Sequence, residues 1–143
     1  MLISGFSLAG FFLLQRSINR MKGNRGFKRL VLATCYSYRG LCQAFRHEAA
    51  FRQELFLVAI LLPLTYWFEV EPIERLLMGA SLILVLIVEL LNSGIEAVVD
   101  RISEDFHELS GRAKDIGSAA VFMTFLLAGY VWVSTLWPLL PLL

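Results

Sequence analysis

Glu89, Asn92, Ser93, Glu96 and Asp100 stand at offsets 0, 3, 4, 7 and 11 in a stretch that is otherwise uncharged from Leu76 to Asp100. At about 100° per residue an α-helix collects all five on one face, within about 100° of arc. An ionisable group at the centre of a membrane helix costs about 2.5–3.5 kcal/mol on insertion scales, so its presence there marks function by default. The stripe cannot face lipid, where each polar group would go unsatisfied, and must face protein, water or an ion. Two carboxylates near a polar loop holding Asp105, His107, Glu108, Arg112, Lys114 and Asp115 suit a magnesium ion carried by a polyphosphate, since Mg²⁺ takes oxygen ligands from one or two carboxylates plus phosphate. Lys114 could neutralise phosphate charge. The run GRAKDIG (Gly111 to Gly117) lacks Walker spacing and no kinase glycine-rich loop occurs, so a nucleotide site here would be of an unusual type.

Composition fixes the medium in which that stripe must be held. The chain has 143 residues, 57% hydrophobic and 17% charged, with a mean hydropathy of +0.66, against about 45–50% and about 25% in ordinary soluble domains. A soluble globule is excluded in favour of an integral membrane protein of one domain. Charge is unevenly spread: up to Arg52 nine Lys/Arg face Glu48 alone, giving +8, and the remainder carries −7. The basic, apolar N-terminal region belongs on the cytoplasmic side against anionic headgroups; nucleic acid is a poor partner for basic residues interleaved with apolar ones. Cys35 and Cys42, seven apart on one helical face, support neither a disulfide nor a zinc site and read as buried small hydrophobes.

The elements follow from periodicity. Residues 1–26 form an N-terminal extension of no assigned role; the positive charges follow its apolar run, the wrong order for a secretory signal, and Met21 opens a second plausible start. From 27 to 47 an amphipathic helix suited to a membrane surface is expected, with a small-residue stripe of Ala33, Ser37, Gly40 and Ala44. Three spans follow at about 51–70, 75–99 and 116–137, separated by an acidic turn at Glu69 to Glu74, where Arg75 is expected to partner the acids, and by a cytoplasmic loop. Gly111 and Gly117 are expected to end a turn and open a helix. Tyr66, Trp67, Tyr130, Trp132 and Trp137 read as an interfacial aromatic belt. The fold class is all-α, one surface helix plus three transmembrane helices, and a bundle this thin encloses its polar stripe best by self-association.

The run VELLNSGIEAVVDRI (Val88 to Ile102), with HELSGRAKDIGSAA (His107 to Ala120) after it and EAAFRQE (Glu48 to Glu54) before it, resembles the prokaryotic diacylglycerol kinase family. The resemblance covers about Gly26 to Trp137, and one departure is Gly94, where the family usually has Ala, which implies a slightly looser helix contact. It implies a small homotrimeric lipid kinase of a bacterial inner membrane, converting diacylglycerol and ATP to phosphatidic acid with Mg²⁺. Glu89 would be the catalytic base, Glu48 and Glu96 the magnesium ligands, Lys114 a phosphate contact, and Asp115 with Asp105, Phe106, His107 and Glu108 part of the nucleotide site. Arg29 and Tyr36 would reach the nucleotide too, Arg29 also the lipid with Ser37, Gln53 and Ser118, while Asn92 and Asp100 would support the carboxylates. The alternatives are an undecaprenol kinase of a sister branch and, from another class, an oligomeric membrane protein whose carboxylates bind ions or hold subunits together. An ion path is disfavoured by polarity that stops halfway, Leu76 to Val88 and the third span being uncharged.

Overall fold

The computed structural model describes residues 25–102 and 107–142, and among them every regular element is helical. In chain order these are α1 (Arg25–His47), α2 (Ala49–Leu64), α3 (Pro72–Ile102), α4 (Glu108–Leu136) and a 3₁₀ segment Trp137–Leu142. Residues 1–24 of the expected extension lie outside the described residues. The chain divides into two compact units, one ending at Cys42 and the other beginning at Gln43.

The first unit contains most of α1, whose strongly amphipathic sequence leaves Leu30, Tyr36, Tyr38 and Leu41 exposed. Cys35 and Cys42 are free and half-buried, not buried as expected, because the helix face that carries them is partly exposed among the described residues.

In the second unit α3 packs most extensively on α4 and next on α2. The buried positions repeat at three and four: Met78, Leu82, Val85, Glu89 and Asn92 on α3, Gly117, Val121, Thr124 and Ala128 on α4, Phe51, Glu54 and Val58 on α2. Such stripes of small and medium residues bring helix axes close, and the polar stripe of α3 continues its apolar seam. Ser81 and Thr124 on the seam return their hydroxyls to their own helix, to Met78 O at 2.8 Å and to Val121 O at 2.7 Å, so neither of these two donors is stranded. Outward faces stay apolar: Leu76, Leu91, Phe122, Met123 and Val133 are exposed. The helices Pro72–Ile102 and Glu108–Leu139 are long and apolar enough to cross a membrane, yet only 28% and 22% of their most apolar windows are buried within the chain. A soluble core helix would be covered by protein; these need lipid or further protein, and the chain is a membrane protein whose described elements are all helical.

α2 stops at Leu64 rather than running to 70, leaving a helix of 16 residues. Thr65 turns its hydroxyl onto Leu62 O at 2.7 Å, and Arg75 donates from Nε to Thr65 O and from Nη2 to Phe68 O, each at 3.1 Å. The end carbonyls of α2 accept from backbone N–H groups, Leu61 O and Leu62 O from Thr65, Pro63 O from Tyr66 and Leu64 O from Trp67, while Arg75 braces the turn that follows. Arg75 also lies over the Tyr66 ring, 5.3 Å from its centroid, so its partners are backbone carbonyls and an aromatic face instead of the turn carboxylates. α3 begins three residues earlier than expected because Pro72 occupies its first position, where the missing N–H costs nothing. Gly111 and Gly117 sit inside α4, not at its start: His107 in extended conformation caps the helix, its Nδ1 accepting from Leu109 N at 3.2 Å. Gly94 is exposed with open space where a Cβ would stand, so within this chain it loosens no contact. Tyr66, Trp67, Tyr130 and Trp137 are exposed, but Trp132 turns inward and donates from Nε1 to Met78 O at 3.4 Å.

Candidate functional site

The polar face of α3 emerges gradually from the bundle. Glu89 and Asn92 are buried, Ser93 and Glu96 half-buried, Asp100 exposed. Asn92 Nδ2 donates to Glu96 Oε1 at 3.0 Å, one helical turn along, which fixes one oxygen of that carboxylate and leaves the other. The Glu96 and Glu48 charges both act on Glu89, and Glu89 acts in turn on Glu54. Four carboxylates from α2, its N-cap and α3 therefore share one electrostatic neighbourhood.

Glu48 stands between α1 and α2 in extended conformation (φ −100°, ψ 115°), and its side chain makes no capping hydrogen bond. The junction is held instead by Arg52, which donates from Nη1 to Phe45 O and Arg46 O, both at 3.2 Å, and by Glu48 N on Ala44 O at 2.8 Å. The Glu48 carboxylate is thus spared for other work. Lys114 pairs with Asp100 at 2.5 Å and also lies within the field of Glu96. The pair is solvent-accessible, with side-chain exposures of 39% and 64%; such pairs contribute little to stability, so the ammonium can exchange a carboxylate for a phosphate at small cost.

Glu54 is the acidic residue that sequence reasoning did not single out. It is 6% exposed, and its Oε2 is buried without a hydrogen-bond partner, as are Asn92 Oδ1 and Ser93 Oγ. Its signal was its place between Phe51 and Val58, three and four residues apart, on the buried face of α2. It stands at one end of a groove of about 350 Å³ whose other walls include Val58, Leu82, Val85, Ala128 and Trp132. Apart from that carboxylate the lining of the groove is apolar.

Among the described residues no three His, Cys, Asp or Glu side chains gather closely enough to hold a metal ion unaided. Glu48, uncommitted, and Glu96, with one oxygen committed, fit a magnesium ion that arrives with phosphate oxygens of its own.

The family model for prokaryotic diacylglycerol kinase matches residues 35–136. The chain belongs to that family. It is 51% identical over 112 residues to a diacylglycerol kinase of Escherichia coli (strain K12), covering 78% of this chain and 92% of that protein. A diacylglycerol kinase of Haemophilus influenzae is 52% identical over 107 residues, 75% of this chain and 91% of its own length, and one of Pseudomonas aeruginosa 50% identical over 115 residues, 80% and 94%. The chain is accordingly an enzyme, a kinase, and its family implies a nucleotide as phosphoryl donor.

Other candidate residues of this kinase are less gathered. Gln53, His107, Glu108, Asp115 and Ser118 are exposed, and the His107 ring is engaged as a helix cap. Arg29, Tyr36 and Ser37 are exposed on the part of α1 within the first unit. Asp105 and Phe106 lie outside the described residues.

Proposed function

We propose that this enzyme transfers the γ-phosphoryl group of ATP to the free hydroxyl of diacylglycerol, giving phosphatidic acid and ADP, at the cytoplasmic face of a bacterial inner membrane. The observation that carries this reading is the buried Glu89, within the field of Glu48 and Glu96 and acting on Glu54, whose carboxylate lines the apolar groove. Glu89 accepts the hydroxyl proton as the lipid oxygen attacks the γ-phosphorus, and the bond to the β–γ bridging oxygen breaks to release ADP. Phosphoryl transfer asks the protein chiefly for alignment and charge stabilisation. Glu48 and Glu96 would hold magnesium, which would supply neutralisation of phosphate charge when bound with the nucleotide. Asn92 orients Glu96, and Asp100 keeps Lys114 at the mouth of the site until phosphate replaces it.

Arg29, Tyr36, Asp105, Phe106, His107, Glu108 and Asp115 complete the nucleotide site in this reading; Arg29, Ser37, Gln53 and Ser118 attend the acylglycerol, whose chain the groove beside Glu54 suits. α2 with its turn provides the third crossing, α1 lies along the cytoplasmic surface, and the chains work as homotrimers that cover part of the exposed apolar faces. The test is transfer of labelled γ-phosphate from MgATP by the purified protein in mixed micelles, with diacylglycerol and undecaprenol offered separately. Labelling of diacylglycerol is the expected result; preference for undecaprenol would replace the substrate, and a folded enzyme labelling neither would overturn the reading.

A further inference from the structure

We infer that Gly117 is a positioning residue for the nucleotide site, acting through Asn92. The inference rests on the reading of Glu96 as a MgATP ligand.

Gly117 lies on the buried face of α4. A Cβ there would overlap Asn92 Oδ1, and would stand 3.4 Å from its Cγ and 3.9 Å from its Cα. The nearest atoms thus belong to one residue, and that residue is the one whose Nδ2 holds Glu96. Asn92 is 9% exposed and its Oδ1 has no hydrogen-bond partner, so no bond on the oxygen side resists rotation of the carboxamide. The missing side chain of Gly117 keeps the space in which Oδ1 sits while Nδ2 points to Glu96. The backbone of Gly117 has no positive φ, so glycine is needed at this place for the close approach alone. Gly40, Gly94 and Gly129, by contrast, have nothing within 4 Å of a built Cβ. An alanine at 117 would push the carboxamide aside, release Glu96 from its orientation and weaken the hold on MgATP without touching the nucleotide.

The experiment compares wild type, Gly117→Ala, Asn92→Ala and the double variant, purified in micelles, reading KM for MgATP, KM for diacylglycerol and the unfolding midpoint. Gly117→Ala is expected to raise KM for MgATP by about tenfold, the scale of one hydrogen bond to a charged group, with KM for diacylglycerol unchanged. In the double variant the Asn92 side chain is gone and the added methyl has room, so its kinetics should equal those of Asn92→Ala alone. Costs that multiply in the double variant, or an unaltered KM for MgATP in Gly117→Ala, would overturn the inference. Should Gly117→Ala not fold, the double variant decides: folded and matching Asn92→Ala it upholds the contact, unfolded it refutes it. Wild-type transfer to diacylglycerol in the same assay reports separately on the proposed function.

Discussion

Glu89 and Glu96 are one chemical type on one helix face, and their surroundings differ in a way that suits the two roles proposed for them. Glu89 is deep in the bundle beside other carboxylates, a setting for a group that takes up a proton; Glu96 is half-buried and oriented by Asn92, a setting for a ligand. Glu89→Gln keeps the volume and removes the acceptor. A general base contributes about 10²–10⁴-fold, so kcat is expected to fall on that scale while MgATP affinity, read by calorimetry, stays near wild type. Full turnover in that variant would take the base away from Glu89. Glu96→Gln still accepts from Asn92 but loses its charge, and KM for MgATP should rise by about tenfold, as for one charge-assisted contact; an unchanged KM would remove Glu96 from the metal site. The stripe was legible because helical arithmetic needs only residue numbers. Glu54 was not, because its burial depends on how α2 seats against α3, and Gly117 was misread as a helix opener because its meaning lies in the atoms of Asn92 across an interface.

At the level of elements, α3 and α4 were readable from long apolar runs, and the discrepancies fall at helix ends, where side chains compete with the backbone. Arg75 braces the turn after α2 by satisfying the carbonyls of Thr65 and Phe68, a role that its nearness in sequence to Glu69, Glu71 and Glu74 concealed. Arg75→Ala strands both carbonyls and removes the cation from the Tyr66 face. A cost of about 1–3 kcal/mol is expected for a part-buried charged donor, measured as a lower midpoint of thermal unfolding in micelles. Kinetic constants should be unaffected at temperatures where the protein is folded, since Arg75 lies about 21 Å along α3 from Glu89 at about 1.5 Å per residue. A variant as stable as wild type would mean that the turn is held by something other than Arg75.

For the molecule as a whole, the direction of the bundle decides whether the site can meet its nucleotide. The carboxylate stripe opens toward the Asp100 end of α3, and the acidic turn of Glu69, Glu71 and Glu74 lies at the other end. Nine of the thirteen Lys/Arg precede Gln53, and basic residues flanking spans are retained in the cytoplasm. In the orientation proposed above, that retention would set the Asp100 end of α3 and the start of α4 on the side where ATP is, and the α2–α3 turn on the other. The arrangement is testable with single cysteines in a variant lacking Cys35 and Cys42. Glu71→Cys, at an exposed turn position, should react with a membrane-impermeant thiol reagent in intact cells whose outer barrier has been opened. Arg101→Cys, exposed beyond Asp100, should react only after the inner membrane is permeabilised. The reverse pattern would put Glu89, Glu96 and Lys114 on the face without ATP, and phosphoryl transfer from a cytosolic nucleotide would then be impossible for this site whatever its internal geometry.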